Sequence, residues 1–421
     1  MSWSSLQRLE GYSMVYLHVV DNRGHLHKKW RANGRDLDIY VEKLGAENCC
    51  PPVALMKLLV RHSSQWRALL LRIPRDWCSL LSKEIGEIAD LTRLTTFTYD
   101  NSYHRTDLDW NTSSSLLNLT RAPNLRDITI GSICYISNVV LLPEKQITSL
   151  SLLDGTEIDL RYLLKSLSNV TEAHMSNISP VGRMGLYFSI YHCRMRTLHL
   201  TFHNWNSFVT LLMSLWRFPS LQNLTLNIIS NEDSVSETPL YLLHFVSRSQ
   251  CKLTHLYLNF ILPDDVEILI ELLSTLKLLE VLEIKNRQPS PMKSGDALFG
   301  ALRPAPDPLD SLVPILREFT YEGPLTQSHL ETLLEVMILR ATRDTVTEKL
   351  DKFVLKSTVS GILGSVQWYI PSSSSPIPLN LHSQLRDLLT GLVHLGVFAL
   401  STFDGKAWTL DGYGNMVYLF D

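Results

Sequence analysis

The stretch Phe208-Val-Thr-Leu-Leu-Met-Ser-Leu-Trp216, followed by Arg217-Phe-Pro219-Ser-Leu221-Gln-Asn-Leu224-Thr-Leu226-Asn-Ile228, decides the fold. Its first part carries apolar residues at helical spacing, and Pro219 ends that run. Its second part alternates apolar and polar residues, the pattern of a strand buried on one side. Helix, tight turn and strand form one unit, and units like it recur along most of the chain.

The strand half reduces to a template, L-x-x-L-x-L, with any large apolar residue at the three fixed positions. It starts at Trp66, Leu94, Leu125, Ile147, Val170, Met195, Leu221, Leu253, Leu279, Leu316 and Leu350. The mean spacing of about 28 residues falls in the range of leucine-rich repeats. Apolar helical runs fill the intervals: Val53 to Val60, Leu160 to Leu167, Tyr241 to Val246, Val266 to Leu273 and His329 to Leu339. Asp264 and Asp265 sit where an N-cap and an acidic first turn belong. The segment 230–237 is acidic and polar, and 287–308 holds five prolines, so both read as loops.

One strand-plus-helix unit cannot bury both its strand face and its helix stripe, whereas stacked units bury both in a continuous seam. The expected fold is therefore α/β, an irregular horseshoe with a parallel concave sheet and convex helices. Three regions are expected: a poorly defined N-terminal cap over 1–51, the solenoid over 52–356 and a C-terminal cap over 357–421. In the first, Leu37 to Leu44 has the spacing of a helix. In the last, Pro371-Ser-Ser-Ser-Ser-Pro-Ile-Pro is a linker, 381–392 has a helical period, and 397–420 reads as a three-stranded meander turning at Asp404-Gly405.

Composition narrows the function classes. A net charge of −3 gives no reason to expect nucleic acid or an anionic membrane as partner. Six scattered cysteines form no C-x-x-C pair, which fits a reduced cytoplasmic or nuclear setting. No secretory signal is expected, because the apolar stretch Met14 to Val20 is short and interrupted by His18. Five N-x-S/T triplets, at Asn111, Asn118, Asn169, Asn177 and Asn223, are then chance occurrences.

The order of several segments resembles the leucine-rich-repeat region of F-box-like proteins of mushroom-forming fungi. Those segments are His62-Ser-Ser-Gln-Trp-Arg-Ala-Leu-Leu-Leu-Arg-Ile-Pro, Ala122-Pro-Asn-Leu-Arg-Asp-Ile-Thr-Ile, Ile147-Thr-Ser-Leu-Ser-Leu with 160–170, and Val246-Ser-Arg-Ser-Gln-Cys-Lys-Leu-Thr-His-Leu-Tyr-Leu. The resemblance covers roughly 36–343. It implies repeats that hold a target protein and an F-box that recruits the linker subunit of a cullin ubiquitin ligase. The chain departs from the family in two ways. No Leu-Pro pair leading into an acidic residue and an apolar helix precedes Trp66, so the expected recruiting module is lost, shortened or unrecognisable. The usual Asn or Cys at repeat position nine is replaced by Ile133, Gly155, Ile178, His203, Ile229, Ile261 and Arg287, which predicts repeats without a buried side-chain ladder.

Template positions three and five should point out of the concave sheet. The candidate protein-binding residues are therefore Glu172, His174, Thr197, His199, Asn223, Thr225, His255 and Tyr257. His174 and His199 hold position five of consecutive templates with Glu172 nearby, which suggests either a metal or pH-sensitive site or a solvated polar face that carries histidines. The second reading is adopted. Glu283, Glu318 and Glu322 make the later repeats acidic and suit a basic segment. Cys49-Cys50 reads as two small residues before a helix rather than a redox pair. Asp411-Gly-Tyr-Gly-Asn opens no helix, so it is no phosphate loop. With no G-x-S-x-G, H-E-x-x-H or P-loop, an enzyme is set aside, and no cofactor or metal is expected. The expectation is a protein-binding repeat protein: a ligase substrate adaptor, or a free-standing scaffold with no ligase link.

Overall fold

The computed structural model describes residues 14–20, 25–27, 30–33, 36–43, 53–73, 75–88, 90–100, 117–131, 140–154, 157–178, 189–202, 216–229, 238–263, 266–288, 291–307, 310–342, 352–359, 362–369, 399–401, 407–410 and 416–419. It divides the α/β chain into two compact units, 1–195 and 196–421.

The first unit begins with four strands, β1 (Met14–Val20), β2 (His25–His27), β3 (Trp30–Asn33) and β4 (Asp36–Lys43). Helix α1 (Val53–Arg61) leads through a 3-10 turn into β5 (Trp66–Arg72), and α2 (Arg75–Ile88) follows. Then come β6 (Thr96–Asp100), β7 (Leu117–Asn118), β8 (Asp127–Gly131), β9 (Val140–Leu141), β10 (Ser149–Leu153), α3 (Glu157–Ser166), β11 (Glu172–Ser176) and β12 (Ile190–Tyr191). Strands β4, β5, β6, β8, β10 and β11 lie side by side in that order, all parallel. Strand β1 runs parallel to β4, and β3 antiparallel to it.

The second unit contains β13 (Thr197–Phe202), β14 (Trp216–Arg217), β15 (Asn223–Ile228), α4 (Thr238–Ser249), β16 (His255–Phe260), α5 (Glu267–Thr275) and β17 (Val281–Asn286). It continues with α6 (Gly295–Ala301), β18 (Glu318–Glu322), α7 (Gln327–Thr342), β19 (Lys352–Val359) and β20 (Ile362–Tyr369). Strands β13, β15, β16, β17, β18 and β19 are parallel neighbours, and β20 closes against β19 antiparallel. The last strands, β21 (Ala399–Ser401), β22 (Ala407–Leu410) and β23 (Met416–Leu419), form an antiparallel meander. Its turn at Asp404-Gly405 lies outside the described residues, as do 371–378 and the helical stretch 381–392.

Each unit repeats one local device. Template position one is buried in every described repeat, from Trp66 and Leu94 to Leu279 and Leu316. Its N–H usually donates to the carbonyl three residues earlier, as in Leu94 to Leu91, Leu125 to Ala122, Val170 to Leu167, Leu221 to Phe218, Leu279 to Leu276 and Leu316 to Val313. The residue three back is itself buried, so a tight turn delivers each strand with an apolar anchor at both ends of the turn. The carbonyl of position two then accepts two N–H groups from the next repeat: Gln222 from Thr254 and His255, Thr254 from Glu280 and Val281, and Glu280 from Arg317 and Glu318. These shared acceptors hold the strand starts level, so the repeats stay in register (Leu198, Leu224, Leu256, Leu282, Phe319). All five of those side chains are buried, as are Leu200, Leu226, Leu258, Ile284 and Tyr321 in the parallel row two residues on.

Several expectations need correction. Residues 36–43 form strand β4 rather than a helix, because Ile39 and Val41 alternate into the core opposite Leu69 and Leu71. Trp216, read as the end of a helix, starts the extended pair β14, and the run 208–215 before it lies outside the described residues. The proline-rich stretch 287–308 contains helix α6, whose Leu298 and Phe299 are buried. The residue capping α5 is Val266, without a side-chain cap, and the acidic first-turn residue is Glu267; 264–265 lie outside the described residues. Helix α2, unread in the sequence, buries Trp77, Cys78, Leu81 and Ile85 on one stripe. Among the described residues no helix is long and apolar enough to cross a membrane.

Candidate binding face

Because β13 to β18 stay in register, their outward residues line up in rows across the second unit. The first row is Thr197, Asn223, His255, Val281 and Glu318, continued by Lys352. The second is His199, Thr225, Tyr257, Glu283 and Thr320. Six of the eight expected binding residues therefore share one face: Thr197, His199, Asn223, Thr225, His255 and Tyr257. Glu172 and His174 belong to the first unit, on the outward side of β11.

Local hydrogen bonds fix several of these side chains. Asn223 Nδ2 donates to Thr197 Oγ1 at 3.2 Å. His255 Nδ1 lies 2.9 Å from Thr254 Oγ1. In the first unit, His174 Nε2 lies 2.9 Å from Glu172 Oε1, with the two side chains 43% and 48% exposed. The imidazole and the carboxylate are within hydrogen-bond distance of each other and partly open to solvent. Burial, with the nearby Glu172 carboxylate, holds the Asp127 carboxyl above its ordinary value.

A third row, missed in the sequence, runs Thr201, Asn227, Asn259, Lys285 and Glu322. It stands at template position seven, one alternation beyond the six positions read. Asn259 Nδ2 donates to Asn227 Oδ1 at 2.8 Å. Lys285 forms an ion pair with Glu322, its in-register neighbour. Lys352 pairs with Glu318 at 3.0 Å. The acidity expected of the later repeats is thus neutralised at Glu318 and Glu322 by lysines one strand away. Tyr257 is half-buried; its burial raises the phenol's pKa, with opposing influences from Lys285 and from Glu322 and Glu283.

Position eight also carries chemistry. Asn286 is buried, and its Oδ1 accepts from Leu262 N (3.2 Å) and Gln288 N (3.1 Å). A single buried amide on backbone groups therefore exists in this repeat, one position earlier than the usual one. Burial pushes the neighbouring Tyr321 phenol up to about 12. In the first unit, Asp154 and Asn177 hold position eight in left-handed conformation (φ 53° and 52°), and Asn177 Nδ2 donates to Asp154 Oδ1 at 2.8 Å. Asp and Asn tolerate that conformation where other side chains clash.

Trp66 and Trp216 are core residues. Cys49-Cys50 and Asp411-Gly-Tyr-Gly-Asn lie outside the described residues. Comparison with protein-family models and with curated proteins found no match.

Proposed function

We propose that the chain is a leucine-rich-repeat protein that binds a target protein on the outer face of its second unit, in the manner of the fungal F-box-like ligase adaptors it resembles. The observation that carries this reading is the register of β13 to β18. It turns single polar side chains into three continuous rows of hydroxyl, amide, imidazole and phenol groups over a rigid apolar layer. A surface of that kind suits a protein partner, since Tyr and His offer contact area and hydrogen bonds together. Support for the repeat class comes from the template starts, since from Leu94 to Leu350 each described strand begins two residues after its start, and from a mean spacing of about 28 residues.

A free-standing scaffold without a ligase link is the second reading. It is favoured by residues 14–43, whose described parts are strands β1 to β4 rather than F-box-like helices. Affinity capture with the purified cullin linker subunit separates the two: retention supports the adaptor, and no retention supports the scaffold. The binding face is tested by joining His199→Ala with Tyr257→Ala. Partners recovered from cells should be lost while the melting temperature holds. Loss of those partners instead on joining His244→Ala with Glu271→Ala, on the exposed helix surfaces, would place the interface on the helices.

A further inference from the structure

We propose that Tyr257 and Glu283 together seat an arginine side chain that projects from an extended segment of the partner protein. This deepens the protein-binding reading and rests on it. The two residues are directly opposite each other on adjacent strands β16 and β17, in the second row. Neighbouring strands stand about 4.8 Å apart, so an aromatic face and a carboxylate lie side by side. Their neighbours in the row are Thr225 and Thr320, small side chains that leave both flanks uncrowded.

Charge complementarity selects the occupant. Glu318 and Glu322 are each matched by a lysine. Glu283 is the carboxylate of this face that forms no ion pair among the described residues. With Lys285 engaged by Glu322, the local sum around Tyr257 among the described residues is one uncompensated negative charge. A cation laid over a tyrosine ring and against a carboxylate gains from both. A guanidinium fits better than an ammonium, because its planar fork can stack on the ring while it pairs with the carboxylate in the same plane.

A second observation points the same way. Asn259 Oδ1, next to Tyr257 on the same face of β16, is shielded from solvent and has no hydrogen-bond partner among the described residues. It is an acceptor left over once Asn259 Nδ2 has bonded Asn227, and a rotation of this amide, which also hydrogen-bonds the Tyr257 side chain, would open it to a guanidinium N–H. The amides of Asn223 and Asn227 border the seat in the first and third rows, where they can meet the backbone of an extended segment.

The test uses the full chain with ring-labelled tyrosine and the blocked amino acid N-acetylarginine methylamide as probe. The Tyr257 resonance is assigned by its loss in Tyr257→Phe. Millimolar arginine probe should shift that resonance, and the isosteric uncharged citrulline probe should not. Glu283→Gln should weaken the arginine effect about tenfold without lowering the melting temperature, and Glu283→Lys should abolish it. An arginine probe that leaves Tyr257 unmoved overturns the proposal. So does an equal response to citrulline, or an arginine effect that survives Glu283→Gln. If the seat fails while the His199 and Tyr257 double variant still loses its partners, the protein-binding reading stands and only the arginine anchor falls.

Discussion

Leu224 and Thr225 are adjacent in sequence and face opposite ways, so truncating each to alanine measures the two sides of the second unit's sheet. Leu224 is buried between the in-register Leu198 and Leu256. Leu224→Ala removes three carbons from that row, worth about 2.4 kcal/mol in transfer free energy alone. The cavity left between two strands held by backbone ladders cannot collapse fully, and the total should reach about 3 to 4 kcal/mol. For a unit of this size that corresponds to a fall of about 10 °C in melting temperature. Thr225→Ala, on the half-buried outer row, should change stability by less than about 0.5 kcal/mol. Thermal unfolding by circular dichroism gives the magnitudes. Hydrogen exchange over 221–228 locates the loss, because the amides of β15 should lose protection in the first variant and keep it in the second. Comparable losses for the two variants would refute the inward and outward assignment on which the proposed binding face depends.

Asn286→Ala should cost about 2 to 4 kcal/mol, since it leaves the buried N–H of Leu262 and the part-buried N–H of Gln288 without their acceptor; a fall in melting temperature of only a degree or two would mean that water replaces the amide. His192 is buried, with Nε2 donating to Leu167 O at 3.1 Å and Nδ1 without a partner among the described residues. Burial lowers its pKa below 6.5, against the opposing pull of the Leu167 carbonyl, so the unfolded chain binds this proton more readily than the folded one. Its contribution is therefore fully present above pH 6.5 and declines as pH falls towards the folded pKa. His192→Leu should flatten stability between pH 7 and pH 5 in urea titrations. An unchanged pH slope would assign the acid limb to other groups, among them His329, whose pKa burial also lowers.

The strands were legible because their determinant is local: three large apolar residues at fixed offsets, each serving the same turn and the same buried rows. Leu37 to Leu44 misled because Leu37, Tyr40, Val41 and Leu44 satisfy a helical period while Ile39 and Val41 satisfy a strand period. Tertiary pairing with Leu69 and Leu71 selects the second. Helix α6 was hidden by prolines that flank its seven residues without interrupting them. On the proposed binding face, alternation shows which side chains point outward, but not which charges meet. Counting Glu283, Glu318 and Glu322 along the chain gives an acidic surface. Placing Lys285 beside Glu322 and Lys352 beside Glu318 removes two of those charges, and that placement depends on partners 37 and 34 residues apart in sequence. What survives is one carboxylate next to one aromatic ring. A diffuse acidic strip would attract any basic segment and weaken steeply with salt. A single carboxylate beside a half-buried ring selects one side chain by shape as well as charge, so discrimination between arginine and lysine, rather than salt dependence alone, is what this face should display.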